Sequence, residues 1–132
     1  MQRKQARENA FILMFEKVFK NDETAEEIFQ KATEIRGLEY DEYVKNVFFG
    51  YNANSMIINE TIEAHSKGWK LERISPVSMA IIRLAVYEMM FDSDIPHRVS
   101  INEAVELAKK YDDEKSYSFV NGVLHSVMNS LG

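Results

Sequence analysis

No cysteine occurs in the 132 residues of this chain, so neither a disulfide framework nor a thiolate metal site can be written down, which fits a reducing compartment. Three histidines, His65, His97 and His125, stand too far apart for a zinc-type ligand spacing. The five glycines, Gly37, Gly50, Gly68, Gly122 and Gly132, are isolated, which removes the loops that cradle phosphates, and no serine sits in a nucleophile-elbow pattern. Asp92, Asp94 and Glu103 fall on positions 1, 3 and 12 of a calcium-loop template, but Pro96 and His97 occupy positions 5 and 6, and the sixth requires glycine. A non-enzymatic protein with no metal and no cofactor is expected. Long apolar runs are missing too. Phe11 to Phe15 is too short for a signal-peptide core and ends at Glu16-Lys17. Met79 to Phe91 is interrupted by Arg83 and Glu88 and falls short of the roughly 20 residues of a membrane span. A cytoplasmic chain without a membrane is the expectation.

What is present suffices for one core. The length is that of one ordinary domain, 1–132, and a hydrophobic share of 45% with 11% aromatics can fill it. A net charge of −5 argues against a wholly basic nucleic-acid-binding face, so any such site must be local. Arg3, Lys4 and Arg7 form one locality, with Glu8 the only acid nearby, whereas acids gather at Asp22, Glu23, Glu26 and Glu27 and at Asp112, Asp113 and Glu114.

No stretch alternates as a strand does, and both prolines fall where elements begin or connect. An all-α bundle of six or seven helices follows. Ala6, Ala10, Met14 and Val18 beside Phe11, Phe15 and Phe19 mark a first helix over about residues 4 to 20. Thr24 caps a second, with Ala25, Ile28, Phe29, Ala32 and Ile35 as its stripe and Gly37 as its stop. From Asp41 the pattern Val44, Val47, Phe48, Tyr51, Ile58, Ile62 and His65 fits one long helix, or two broken near Gly50 to Ser55. Gly68-Trp69 ends that element, and Leu71 to Ile74 suits one further turn. Ser75-Pro76 is a cap with proline at the first helical position, opening a central helix, Val77 to Phe91, apolar almost all round and therefore the hub. Ser100-Ile101-Asn102-Glu103 reads as a capping box. A last helix runs from about Ser116 to Ser130, burying a combination of Phe119, Val120, Val123, Leu124 and Val127.

Cations in a first helical turn oppose the macrodipole, so Arg3, Lys4 and Arg7 ask for a ligand anion; the alternative is a solvated, frayed terminus. Arg3 and Arg7 are one turn apart with Lys4 beside them, a spacing suited to successive phosphates. Arg83, inside an apolar run, must find an anion or reach solvent, and Glu88, Glu103 and Glu106 are the internal candidates. Gly122 inside a helix costs about 1 kcal/mol relative to alanine and suggests close helix packing. Phe119, three residues before it, suits the core better than a base-stacking platform.

Ala6-Arg7-Glu8, the central Ile82-Arg83-Leu84-Ala85-Val86-Tyr87-Glu88, Ile95-Pro96, Ser100 to Lys109 and Phe119-Val120-Asn121-Gly122-Val123-Leu124 together resemble the NusB family of bacterial transcription antitermination factors across essentially the whole chain. The resemblance implies seven helices, no catalysis, and binding to single-stranded boxA RNA of ribosomal RNA transcripts. It also implies NusE, a small-subunit ribosomal protein, as partner within the RNA polymerase antitermination complex. Carried over by position, the family's basic arm falls on Arg3, Lys4 and Arg7, its central-helix arginine on Arg83 and its aromatic on Phe119. Lys115 stands near the RNA site where some members carry an acid, and Gln5 where many carry another base. The partner surface is placed on the exposed side of the central helix around Ser78. Three neutralised phosphates would give log affinity against log salt a slope near −2, from roughly −0.7 per contact, and Arg7→Ala is expected to spare the melting temperature. Rival readings are the NusB-like domain of a ribosomal RNA cytosine methyltransferase and a helical protein-binding adaptor; homodimerisation stays open.

Overall fold

A computed structural model of the chain describes residues 1–67 and 74–131, and every regular element among them is an α-helix, seven in all. The first, α1 (Arg3–Phe19), buries Ala6, Ala10, Phe11, Leu13 and Met14. The expected stripe fades toward its end, since Phe19 is exposed. In α2 (Ala25–Glu34) the Thr24 hydroxyl accepts from the Glu27 N–H while the Glu27 carboxylate accepts from the Thr24 N–H, a complete capping box. Gly37 at φ 74° turns the chain out of α2, and the Leu38 N–H closes on the Ala32 carbonyl at 2.9 Å. Ile35, expected in the stripe, falls beyond α2 and is exposed.

The pattern from Asp41 resolves into two helices, α3 (Glu42–Ala53) and α4 (Ser55–Ala64), parted at Asn54. The Asp41 carboxylate caps α3 by accepting from the Tyr43 and Val44 N–H groups. At the break, both the backbone N–H and the side-chain amide of Asn54 donate to the Gly50 carbonyl, so a side chain competes for the ladder at the point where the helix stops. The helix end at Gly68-Trp69 and all but Ile74 of the turn foreseen at Leu71 to Ile74 lie outside the described residues.

Ser75 caps α5 (Pro76–Phe91), its hydroxyl accepting from the Ser78 N–H, with Pro76 in the first turn. Nine of its sixteen residues are buried, and it packs against α1, α3, α4, α6 and α7, the hub that its all-round apolarity implies. The sixth helix, α6 (His97–Tyr111), starts three residues before the box expected at Ser100. That box does not form: Ser100 is buried inside the helix and donates its hydroxyl to Glu88, while the Glu103 carboxylate turns to Arg7. A buried ion pair has claimed both side chains. In α7 (Glu114–Leu131) all five expected apolar residues are buried.

Gly122 corrects another expectation. A Cβ there would meet nothing within 4 Å, whereas at Gly50 it would lie 2.4 Å from the ring of Tyr87. Close packing explains the glycine of α3, not that of α7.

Candidate nucleic-acid interface

The first turn of α1 contains no acid, and Gln2 gives it no side-chain cap, so its start is electrostatically unfavourable in the way the sequence suggests. Its three cations part company in space. Arg3 and Lys4 are exposed and form no ion pair among the described residues. The Arg3 guanidinium lies 4.4 Å from the centroid of the Tyr43 ring, whereas Lys4 lines a pocket of about 150 Å³ beside Glu8, Glu106 and Lys110. Arg7 points inward instead and is 3% exposed.

Arg7 faces Glu88, a carboxylate with no solvent exposure. Its Nε donates to Glu88 Oε2 at 2.9 Å and its Nη2 to Oε1 at 3.4 Å, while Nη1 reaches Glu103 Oε1 at 3.5 Å. The Tyr43 hydroxyl donates to Glu88 Oε2 and the Ser100 hydroxyl to Oε1 at 2.7 Å. An unpaired carboxylate in that position would be strongly destabilising. Burial disfavours the charged guanidinium, but the hydrogen bond to Glu88 and the charges around it win, and the Arg7 pKa is raised. Burial first, then the Glu88 charge, holds the Tyr43 hydroxyl protonated far above the ordinary tyrosine range. This cluster ties α1, α3, α5 and α6 together. It also corrects the arm: Arg7 is an internal cation, and two exposed cations remain beside it.

Arg83 is half-buried, but none of its three candidate glutamates pairs with it. Glu88 and Glu103 go to Arg7, and Glu106 to Lys109. The Arg83 Nε donates to Asn59 Oδ1 at 3.0 Å, and its guanidinium lies 5.6 Å from the Tyr51 ring centroid, so α3 and α4 supply its neighbours. Lys115 is exposed at the start of α7, and Phe119, one turn on, is buried in the core with 6% exposure. Ser78 is not on an exposed side. It is 1% exposed, and its hydroxyl donates to Asp112 Oδ2 at 2.9 Å, as that of Ser75 does at 2.5 Å. Burial opposes ionisation of Asp112, but these hydroxyls and the Asp113 N–H outweigh it, and its pKa is lowered. The partly exposed residues of α5 are instead Val77, Met79, Arg83, Tyr87 and Met90, with Pro76 and Phe91 exposed at its ends.

Tyr43 and the pairing of Arg7 with Glu88 went unforeseen. The sequence signal was only a negative one: Arg83 and Glu88 are five residues apart, about 140° around a helix of 3.6 residues per turn, so they cannot share a face or pair with each other, which leaves the partner of Glu88 unspecified.

The sequence profile of the NusB family matches residues 4–129. The chain belongs to the NusB family. A curated relative, the transcription antitermination protein NusB of Clostridium acetobutylicum, is 43% identical over 132 residues, covering 98% of this chain and 97% of the relative. The solved T. maritima NusB superposes with a TM-score of 0.85 at 34% identity, over 98% of this chain and 92% of that one. The antitermination factors NusB and NusE in complex with dsRNA contain a chain that superposes at 0.84 with 28% identity, covering 98% of this chain and 99% of that one. Among the described residues every regular element is helical, and no helix is long and apolar enough to cross a membrane.

Proposed function

We infer that this chain is a transcription antitermination factor that binds boxA-type RNA of ribosomal RNA transcripts jointly with a NusE-type ribosomal protein, within the antitermination complex on RNA polymerase. The observation that carries this reading is the match, along nearly the whole of both chains, to the NusB component of a complex of NusB, NusE and dsRNA. Exposed Arg3 and Lys4 at the start of α1 supply cations for phosphates. Lys115 and Arg83 are further contacts in this proposal, with Phe119 shaping the surface from beneath rather than offering a free stacking face. The whole chain, 1–132, acts as one RNA-binding domain in the cytoplasm, by docking rather than catalysis, since RNA outside a duplex is held by adding phosphate contacts to base contacts.

The test is titration of a short boxA-type RNA and a scrambled control, with and without the NusE-type protein, at two salt concentrations. Sequence-selective binding that the partner strengthens and salt weakens is the expected result. Equal binding of both RNAs under every condition would leave a helical adaptor in its place.

A further inference from the structure

Between the start of α1, the outer face of α3 and the end of α5 lies a cleft of about 730 Å³, which none of the RNA-contact residues above enters except Arg3. Two exposed cations, Arg3 and Lys45, line it, and neither is paired with an acid among the described residues. Its aromatic wall is Tyr87 and Phe91, one turn apart on α5, their rings stacked with centroids 5.4 Å apart and an interplanar angle of 26°. Phe91 is 44% exposed although its ring lies against that of Tyr87. Tyr87 is held in place from behind: Gly50 lets its ring lie against α3 so closely that even a methyl group would collide. A helix-interior glycine costs about as much as a missing favourable contact, and here it sets the wall of the cleft. At the rim Asp94 is exposed beside Asp92, offering carboxylate acceptors.

Cations for a backbone, a fixed aromatic face for a base and acceptors for its edge are the three parts of a single-nucleotide site in unpaired nucleic acid. Arg3 belongs both to this cleft and to the exposed start of α1, where Lys4 follows it. We propose that the cleft between α1, α3 and α5 takes one unpaired nucleotide of the bound RNA, its base stacked on Phe91 and its phosphate held by Arg3 and Lys45. This rests on the RNA-binding reading given above. Asp92 and Asp94 favour a base that carries an exocyclic amino group, because carboxylates accept from such groups. Tyr43 is a positioning residue in this site: Glu88 fixes its hydroxyl and its ring carries the Arg3 guanidinium.

The test compares the full chain with its Phe91→Ala and Lys45→Gln variants, titrated with the boxA-type RNA alone and with the NusE-type protein alone. Far-ultraviolet circular dichroism and thermal unfolding establish that each variant is folded; Lys45 is exposed, so its variant keeps the comparison valid if Phe91→Ala proves unstable. Phe91→Ala is expected to weaken RNA binding roughly fivefold or more, the lower end of the effect of losing one base–aromatic stack. Lys45→Gln is expected to flatten the slope of log affinity against log salt by about 0.7. Unchanged RNA affinity and slope in both variants, with wild-type binding intact, would overturn the cleft and leave the RNA-binding reading standing. Lost NusE binding with RNA binding unchanged would put a protein segment there and also overturn it. Absence of RNA binding by the wild-type chain, with and without partner, would overturn both.

Discussion

At Glu88, four donors from Arg7, Tyr43 and Ser100 converge on a carboxylate that water does not reach. Removing the cation leaves a buried charge uncompensated, a change that typically costs 3–5 kcal/mol. Arg7→Ala is therefore expected to lower the melting temperature by roughly 10 °C or more, given a few degrees per kcal/mol for a chain of this size. Thermal unfolding followed by circular dichroism measures it, and a shift within a degree would return Arg7 to the surface role that its place in the sequence suggests. Asp112 supports a second prediction. Its pKa is depressed in the folded chain, so its contribution to stability is present above its ordinary value of 3.8 and is lost as the pH falls through the depressed one. The melting temperature of Asp112→Asn should lie below that of the wild type at pH 7, and the gap should narrow as the pH is taken down below 3.8; a gap that does not change with pH would assign the loss to packing. Neither role was legible in the residues alone. An arginine and a glutamate 81 positions apart carry no local mark of pairing, and the acceptor that meets the buried Ser78 hydroxyl, Asp112, is 34 positions away.

Helices are the scale at which the sequence is most readable here. Thr24, Asp41 and Ser75 cap the helices that follow them, because a capping side chain acts within three residues and needs no tertiary help. The box at Ser100 fails for the opposite reason: tertiary partners outbid a local pairing whose net value is about 1 kcal/mol. The two helical glycines show the same divide between local cost and long-range reason, and they should respond oppositely to alanine. Gly122→Ala adds a methyl group in open space and should stabilise by up to about 1 kcal/mol through helix propensity. Gly50→Ala drives a methyl into the Tyr87 ring, and overpacking of that kind costs about 1–3 kcal/mol, more than propensity returns. Urea-unfolding midpoints should move up for the first variant and down for the second. Two upward shifts would mean that propensity alone decides at both positions.

Across the whole molecule, the net charge of −5 means that RNA approaches a protein whose average field repels it, so attraction must come from the few cations left without acidic partners. The order of the helices and the family were legible along most of the chain, because patterns recurring through it constrain one another, whereas the break at Asn54 and the start of α6 were not. Which cations remain available was not, because that depends on the pairing of side chains brought together only by folding. Glu8 illustrates it: the one acid close to the arm in sequence is engaged by Lys110 at 2.9 Å and by the Tyr111 hydroxyl at 2.8 Å, which leaves Lys4 without an ion pair among the described residues, while Arg7 is withdrawn to Glu88. The arm thus offers two phosphate contacts rather than three. With about −0.7 per contact to a single strand, Arg3→Ala/Lys4→Ala should flatten the slope of log affinity against log salt by about 1.4 and leave the melting temperature near that of the wild type, since both side chains are exposed. Measured by fluorescence anisotropy at several salt concentrations, an unchanged slope would show that the RNA enters elsewhere on the bundle, whereas a residual slope in the variant steeper than its remaining exposed cations supply would show that Arg7 leaves Glu88 for the RNA when the complex forms.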